Sequence, residues 1–411
     1  MSLNDLQGWL VGEGLREDLD QLTRHTVVAE LDNLMPPTED DAASFDWPRL
    51  LLAGSVLARS DQRTYLDAAL RIATAAITLS DSEAVKDSGA VLLSKLSNFR
   101  AISLATERGF LTADVEGRLG MALRIEAQRR QMDQSILVQS SGRWIQVNDF
   151  QQRFWSQADN YQWLSASAPT ASGKTFLVLQ WLVDQIRSNE MRLAVYLAPT
   201  RALVAEIEAN LVSLLRTGSG IEVSSLPIQE KHDKAHAGGP HAILVLTQER
   251  MHLLANAIGG AFKVDLLVVD EAHKIGDNQR GVILQDAIER ATRSNPALKL
   301  VFISPATQNP QELLADAPEG AHTASFESDV PTVLQNVILA EQVPRKPKLW
   351  KLSARQHASI LPLGVVQLGS SPGSLKKSWH SSPLQPESAV GHLSTRIAPL
   401  IPKTSPILSV S

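Results

Sequence analysis

Between about residues 147 and 320 the chain alternates short, continuously apolar runs with longer amphipathic stretches. Four of these runs are LAVYLA, AILVL, VDLLVV and LKLVFIS, at 193–198, 242–246, 264–269 and 298–304. Continuous apolar strands separated by helices indicate a parallel sheet that is covered on both faces. The pattern therefore predicts a doubly wound α/β domain, in which ligands bind beyond the carboxyl ends of the strands.

The stretch APTASGKT follows an apolar run and precedes a helical pattern. It matches the phosphate-binding loop G-x-x-x-x-G-K-[ST], except that Ala168 stands where the first glycine is expected. Backbone N–H groups and the helix N-terminus of such a loop surround the phosphates, while its lysine neutralises them and its last hydroxyl ligates Mg²⁺. We expect ATP to contact Ala168, Thr170, Ser172, Gly173, Lys174 and Thr175, and Thr175 to ligate Mg²⁺. Taken alone, the stretch is also compatible with a chance Gly-Lys-Thr at the start of a helix.

Asp270 and Glu271 come directly after the apolar run 264–269. Nucleotide hydrolysis needs one carboxylate to hold Mg²⁺ and a second to orient and deprotonate the attacking water. We expect Asp270 to be the metal ligand and Glu271 to be the base. A surface turn with two acids is the alternative for any isolated Asp-Glu pair. Its position, after a strand in the same α/β pattern as the phosphate loop, favours the catalytic interpretation.

Together with four further stretches in the same order, these motifs resemble the DEAD/DEAH-box helicases of superfamily two, specifically their first RecA-like motor domain. The four stretches are DFQQRFW, APTRAL, TQER and SPAT, which begin at residues 149, 198, 247 and 304. The resemblance covers about residues 146–320. The phosphate loop and PTRAL together are most similar to the Ski-like branch of the family.

The resemblance implies a role for residues in each stretch. Gln151 would read adenine, with Gln152 as the rival for that role, and Lys174 would act with Asp270 and Glu271 in catalysis. A second set, with hydroxyl and guanidinium donors suited to phosphate oxygens, would grip the nucleic-acid backbone independently of base sequence: Pro199, Thr200, Arg201, Thr247 and Arg250. A third set would link the state of ATP to that grip: His273, Ser304 and Thr307. Pro305 departs from the Ser-Ala-Thr element of the family.

Residues 1–145 have a helical pattern. From Leu50 to Leu79 apolar residues recur three and four apart, and similar patterns follow over about 83–105 and 113–132. We expect an all-α N-terminal domain with solvated charged faces. No catalytic constellation is recognisable in it, so contact with a protein partner is the function we consider for this domain.

The end of the chain differs in charge and composition. Residues 345–411 hold nine of the 39 Lys+Arg but one of the 44 Asp+Glu, together with 13 Ser and 8 Pro. Such a composition is typical of a disordered segment. Translation out of frame from a gene for a complete helicase is the other interpretation. The change follows SFESDVPTVLQNVILA, which resembles the connector to a second motor domain, so we assign 321–344 to the connector and the start of that domain.

The leading functional hypothesis is an ATP-dependent nucleic-acid helicase or translocase. In the family ATP lies between two RecA-like domains, and the second supplies arginine fingers. We therefore expect a chain with the first domain alone, from a truncated or frameshifted member, to bind ATP weakly and to unwind little. A non-catalytic ATP-binding or nucleic-acid-binding module is the alternative. The choice between DNA and RNA stays open.

Three further features restrict the classes of protein to which the chain can belong. The chain has no cysteine, which excludes disulfides, thiolate zinc sites and a cysteine nucleophile. We expect no membrane span, because no stretch approaches 18 uninterrupted apolar residues. The N-terminus carries acids from residue 5 and has no apolar signal core. These features fit a cytoplasmic location.

Overall fold

The computed structural model describes residues 2–31, 44–169, 172–188, 191–215, 220–276, 278–306, 309–346, 348–356, 359–367 and 390–397. These residues form two units. The helical unit comprises Met1–Arg130 together with the chain from Val330 onward. The α/β unit comprises Gln131–Asp329.

Fourteen α-helices lie within the described ranges. They are α1 (Leu3–Trp9), α2 (Arg16–Glu30), α3 (Trp47–Leu57), α4 (Arg63–Leu79), α5 (Glu83–Lys95), α6 (Phe99–Glu107), α7 (Val115–Arg118), α8 (Met121–Asp133), α9 (Asp149–Gln157), α10 (Lys174–Ser188), α11 (Arg201–Leu214), α12 (Gln229–His236), α13 (Gln248–Ile258) and α14 (Asn278–Ser294). A π-helical turn at Leu10–Gly14 joins α1 to α2. None of the helices in these ranges has the length and apolar character needed to cross a lipid bilayer.

The described residues also include thirteen strands. They are β1 (Ser135–Val138), β2 (Arg143–Gln146), β3 (Trp163–Ser167), β4 (Leu193–Leu197), β5 (Ile221–Ser224), β6 (His241–Leu246), β7 (Leu266–Val269), β8 (Lys299–Ser304), β9 (Thr323–Glu327), β10 (Leu334–Gln342), β11 (Leu349–Gln356), β12 (Ser359–Gln367) and β13 (Val390–Ile397).

Seven strands of the α/β unit form one sheet in the order β5-β6-β4-β7-β8-β3-β9. Every pairing in it is parallel. Successive residues of β4 alternate between two apolar cores, with Tyr196 in one and Val195 in the other. Helices α9, α10 and α11 contribute to the first core, and α13 and α14 to the second. The predicted fold class, a helical N-terminal region followed by a RecA-like α/β domain, is confirmed.

The α/β unit begins earlier than the sequence pattern suggests. Strands β1 and β2 form an antiparallel hairpin within the region expected to be all-α up to 145. Ile136 of the hairpin and the following Val147 belong to the first apolar core of the α/β unit. Asp184 of α10 holds the turn of the hairpin, because its carboxylate accepts from the backbone N–H groups of Gln139 and Ser140 at 2.9 and 2.7 Å.

Helix α4 is the centre of the helical unit. Eleven of its seventeen residues are buried, because alanine is frequent enough for neighbouring helices to approach on several sides. Its apolar core also includes Leu334, the first residue of β10. A smaller core joins Val27 and Val28 of α2 to Trp350 and Leu352 of β11.

Strands β10 to β13 form an antiparallel sheet in the order β12-β11-β10-β13. Three of them, β11, β12 and β13, fall where the composition indicates disorder from residue 345. In β11 alternate residues are buried, among them Trp350, Leu352 and Ala354, which is the period expected for a strand with one covered face. Most of the serine and proline in 345–411 lies after residue 367. The average composition therefore conceals the alternating segment that precedes it, while 368–389 and 398–411 lie outside the described residues.

The expected connector at 321–344 is divided between the two units. Thr323–Glu327 forms β9, which pairs in parallel with β3 at the edge of the seven-stranded sheet. Leu334–Gln342 forms β10, which pairs antiparallel with β11. Within the described residues, the parallel strands all belong to the sheet of 131–329.

Arg71 connects helix α4 to strand β10 inside the helical unit, where its side chain is buried. Its guanidinium donates to the Asp67 carboxylate at 2.7 Å and to the Asn336 amide oxygen at 2.8 Å. We expect Arg71→Ala to lower the free energy of unfolding by about 3 kcal/mol, since it leaves buried partners of an ion-paired network unsatisfied. Urea unfolding checks this, with the exposed Arg63→Ala of the same helix as control. Equal effects of the two substitutions would contradict the packing of β10 on α4.

Candidate functional site

The phosphate loop connects β3 to α10 at the carboxyl edge of the sheet. Ala168, at the position of the first glycine, is fully buried, and its N–H donates to the Ser304 carbonyl at 3.4 Å. Gly173 has a φ of +77°, a left-handed conformation that favours glycine. A Cβ on Gly173 would lie 2.5 Å from the Gln151 amide nitrogen. Thr170, expected in this loop, lies outside the described residues.

Gln151 holds the second half of this loop. Its amide nitrogen donates to the carbonyls of Ser172 and Gly173, both at 3.2 Å. Its amide oxygen accepts from the N–H of Asn148, the N-cap of α9, at 3.0 Å. The Asn148 side chain donates to the Ser172 carbonyl at 3.2 Å. Gln151, rather than Gln152, is thus the glutamine for which the structure gives contacts to the phosphate loop.

The side chain of Lys174 folds back onto the phosphate loop. Its ammonium donates to the carbonyls of Ala168 and Pro169, the second at 2.9 Å. Burial lowers the pKa of Lys174, while the carboxylates of Asp270 and Glu271 act in the opposite direction. The structure therefore brings together the lysine and the two acids that the sequence placed in one site.

Asp270 follows β7 and has hydrogen bonds to both carboxylate oxygens. Tyr196 donates from its hydroxyl to Oδ2 at 2.8 Å, and the Glu271 N–H donates to Oδ1 at 2.8 Å. Burial raises the pKa of Asp270 above its ordinary value, against the lowering effect of these bonds and of Lys174. A nearby cation would relieve the cost of burying this carboxylate.

Tyr196 is a member of the site that the sequence analysis missed. It lies in the apolar strand β4 and is fully buried, and its hydroxyl donates to the Asp270 carboxylate. Burial raises its pKa well above the ordinary value, and the Asp270 charge acts in the same direction. The available signal was a phenol in a run of otherwise apolar buried residues, since a buried hydroxyl needs a partner.

Glu271 is half-buried and its backbone is left-handed, with a φ of +53°. Its Oε2 lies 3.5 Å from the His273 Nε2 and 3.9 Å from the Lys274 Nζ. His273, expected to reach toward the strand that ends at Ser304, is therefore next to Glu271 in this structure. Positive φ is uncommon for a non-glycine residue, and the residues that adopt it cluster at functional sites.

The end of β8 adjoins the phosphate loop directly. Ser304 pairs with Ser167 of β3, and the Ser167 hydroxyl donates to the Pro305 carbonyl at 2.8 Å. The Ser304 hydroxyl is buried and has no hydrogen-bond partner among the described residues. Pro305 thus contributes an acceptor at this junction, and Thr307 lies outside the described residues.

The expected nucleic-acid residues lie at two neighbouring helix N-termini. Thr200 caps α11 and Thr247 caps α13, each accepting a backbone N–H with its hydroxyl oxygen. The two caps follow β4 and β6, which pair directly, and the N–H of Ala198 donates to the Leu246 carbonyl at 2.9 Å. Helix N-termini favour phosphate groups.

The two arginines of this set differ. Arg201 is exposed at the first turn of α11. Arg250 is half-buried, and one of its guanidinium nitrogens donates to the Ser225 carbonyl at 2.7 Å. Pro199 is half-buried beside Thr200. Arg201 is thus an accessible cation, and Arg250 is fixed by the loop after β5.

The residues of the loop fit a nucleotide and Mg²⁺. The buried Ser172 hydroxyl has no partner among the described residues. Lys174 supplies a cation for phosphate oxygens, and Thr175 and Asp270 supply the hard oxygen donors that Mg²⁺ prefers. The two loops that carry these groups follow the parallel strands β3 and β7 at one edge of the sheet.

We expect Gly173→Ala to destabilise the α/β unit more than Gly238→Ala does. Gly238 also has a positive φ, +86°, but a Cβ there meets nothing within 4 Å. The left-handed backbone alone costs about 1 kcal/mol for alanine. At Gly173 the added Cβ must also displace Gln151, which raises the cost to at least about 2 kcal/mol. Urea unfolding of both variants measures the difference, and equal destabilisation would contradict the contact between Gln151 and the loop.

Two helicases are among the solved structures that align with part of this chain. The Mycobacterium smegmatis helicase Lhr bound to ssDNA and AMP-PNP aligns with 44% of this chain and 25% of its own, at 23% identity and a TM-score of 0.35. The Hef helicase domain of Pyrococcus furiosus aligns with 44% of this chain and 38% of its own, at 24% identity and a TM-score of 0.32.

Sequence comparison gives relatives over the same region. The ATP-dependent DNA helicase Hel308 of Aeropyrum pernix is 32% identical over 152 residues, which is 36% of this chain and 20% of the relative. Hel308 of Thermoplasma volcanium is 26% identical over 182 residues, 44% of this chain and 26% of the relative. The chain thus spans about a fifth to a quarter of these relatives. The family model of the DEAD/DEAH box helicases matches residues 148–314 of the chain.

Proposed function

We propose that the α/β unit binds ATP with Mg²⁺, hydrolyses it, and couples hydrolysis to contact with a nucleic-acid backbone, as in a helicase or translocase. One observation carries the proposal. The phosphate loop, the Asp270–Glu271 pair and two N-termini suited to phosphate all follow parallel strands at one sheet edge. A nucleotide and a nucleic-acid strand would therefore bind to the same rigid sheet.

Lys174 is the group that changes partners when nucleotide binds. Its present acceptors, the carbonyls of Ala168 and Pro169, are neutral. The bond from the ammonium to a carbonyl is already charge-assisted, and an anionic phosphate oxygen adds the attraction between opposite charges. The ammonium would therefore exchange the carbonyls for phosphate oxygens. The loop N–H groups at the start of α10 would bind the same phosphates.

Thr175 and Asp270 would hold Mg²⁺, which supplies charge to stabilise the transferring phosphoryl group when it is bound. Glu271 is the carboxylate best placed to orient a water molecule and accept its proton. It is half-buried, so solvent reaches it, whereas Asp270 is buried and has hydrogen bonds to both oxygens. Two adjacent acids in different environments are thereby suited to different roles.

The nucleic-acid contacts would be to phosphates rather than to bases. The N-termini of α11 and α13 present backbone N–H groups, and Arg201 adds an exposed cation. Such contacts position a strand but carry no sequence information. The similar curated proteins are called DNA helicases, which makes DNA the first nucleic acid to test. A protein partner for the helical unit and a cytoplasmic location stay predictions.

The proposal predicts different effects for two substitutions in the site. We expect Glu271→Gln to retain ATP binding and to lower the hydrolysis rate by at least about a hundredfold, because a general base contributes that much or more. Lys174→Ala should instead weaken ATP binding. Single-turnover hydrolysis and equilibrium binding of ATP measure the two effects, with the exposed Lys234→Ala as control. A wild-type chain that binds ATP without hydrolysing it would favour the alternative, a non-catalytic nucleotide-binding module.

The location of the nucleic-acid contact can be tested with two exposed arginines at opposite ends of β4. Arg201 follows its carboxyl end and Arg192 precedes its amino end. We expect Arg201→Ala to weaken single-stranded DNA binding equally for all sequences and to reduce the slope of log K against log salt by about 1. Arg192→Ala should leave both unchanged. Fluorescence anisotropy over a range of salt concentrations gives the slopes, and equal effects at the two positions would contradict the assignment of this edge.

A further inference from the structure

Tyr196 is hydrogen-bonded to Asp270, which lies far from it in the sequence. It lies in β4, between the neighbouring strands β6 and β7. Its register partner in β7 is Val268, and Asp270 lies two residues further along the same direction. Residues two apart in a strand share a face, so the long phenol of Tyr196 reaches forward to the Asp270 carboxylate, where its hydroxyl donates to Oδ2 at 2.8 Å.

We propose that Tyr196 is a positioning residue for the cation that accompanies the nucleotide. Its hydroxyl orients the Asp270 carboxylate, so that this ligand is prepared before the cation arrives. The inference rests on the proposed function, because Thr175 and Asp270 are its expected cation ligands. It adds a residue that contacts neither the nucleotide nor the attacking water.

Because Tyr196 is buried, removing its hydroxyl tests the hydrogen bond with little change in packing. The side chain is fully buried in an apolar core, where phenylalanine fills nearly the same volume and needs no partner. Tyr196→Phe therefore removes the hydrogen bond to Asp270 and leaves most of the packing in place. Loss of a hydrogen-bonding partner behind a metal ligand typically weakens metal affinity by about ten- to a hundredfold.

The test is the Mg²⁺ dependence of nucleotide binding, measured by anisotropy of a fluorescent, non-hydrolysable ATP analogue on the 411-residue chain. For Tyr196→Phe we expect the Mg²⁺ concentration at half-saturation to rise about tenfold, while affinity in EDTA changes less than about twofold. Tyr161→Phe is the matched control. Tyr161 is half-buried in the same unit and packs edge-on against Phe326, so its substitution should leave the Mg²⁺ dependence unchanged.

The outcomes separate the inference from the proposed function. If the wild type binds the analogue with a clear Mg²⁺ dependence and Tyr196→Phe has the same dependence, the inference fails and the proposed function stands. An equal loss of affinity with EDTA and with Mg²⁺ indicates a merely structural role and also overturns the inference. If the wild type binds no nucleotide at any Mg²⁺ concentration, both fail.

A second measurement needs no substitution of Tyr196 itself and so does not depend on the folding of that variant. The chain has three tyrosines, so the protein labelled with 3-fluorotyrosine should give three ¹⁹F resonances. With the ATP analogue bound, addition of Mg²⁺ should shift the Tyr196 resonance and leave the Tyr161 resonance in place. Tyr65→Phe and Tyr161→Phe each assign a resonance by its disappearance, and the remaining resonance is that of Tyr196. An unshifted Tyr196 resonance at saturating Mg²⁺ would overturn the inference.

Discussion

Parallel pairing of β3, β4, β6, β7 and β8 is the constraint on which the site depends. In a parallel sheet all carboxyl ends lie at one edge, so five loops from different parts of the sequence meet there. The register of the strand pairs determines which residues are brought together at this edge. Ser167 pairs with Ser304, and Leu197 pairs with both Leu246 and Val269. The phosphate loop, the acid pair and the two capped helices each begin within a few residues of these pairs.

The charges of the site are incompletely compensated within the α/β unit. Burial lowers the pKa of Lys174 and raises that of Asp270, so in both residues desolvation opposes the charged form more than the other residue supports it. Each group would gain from a further opposite charge: phosphate for Lys174 and a divalent cation for Asp270. A nucleotide with its cation would supply both, which would account for the placement of a buried carboxylate and a half-buried ammonium that do little for folding alone.

Strong local patterns predicted the fold and most of the site from sequence. Continuous apolar runs indicated a parallel sheet, and Gly173, Lys174 and Asp270 lie where their motifs placed them. Tyr196 was missed because an apolar run was interpreted as packing alone, and its partner becomes evident only from the register of β4 against β7. Strand β11 was missed for a different reason, since its alternation was averaged with a serine-rich and proline-rich sequence. The alternation in β11 is thus visible in the local sequence but not in the average composition of the 67 residues from 345 to 411.

Strand β4 also links the two proposed binding sites along the chain. Tyr196 donates to Asp270, a proposed cation ligand, and Thr200, four residues later, caps the helix proposed to meet nucleic acid. The Leu197 carbonyl between them accepts the Asp270 N–H at 2.9 Å. All five residues of β4 are buried, and a strand packed on both faces does not deform gradually. A displacement of Asp270 would therefore have to move the end of β4 as a unit, and with it the N-terminus of α11.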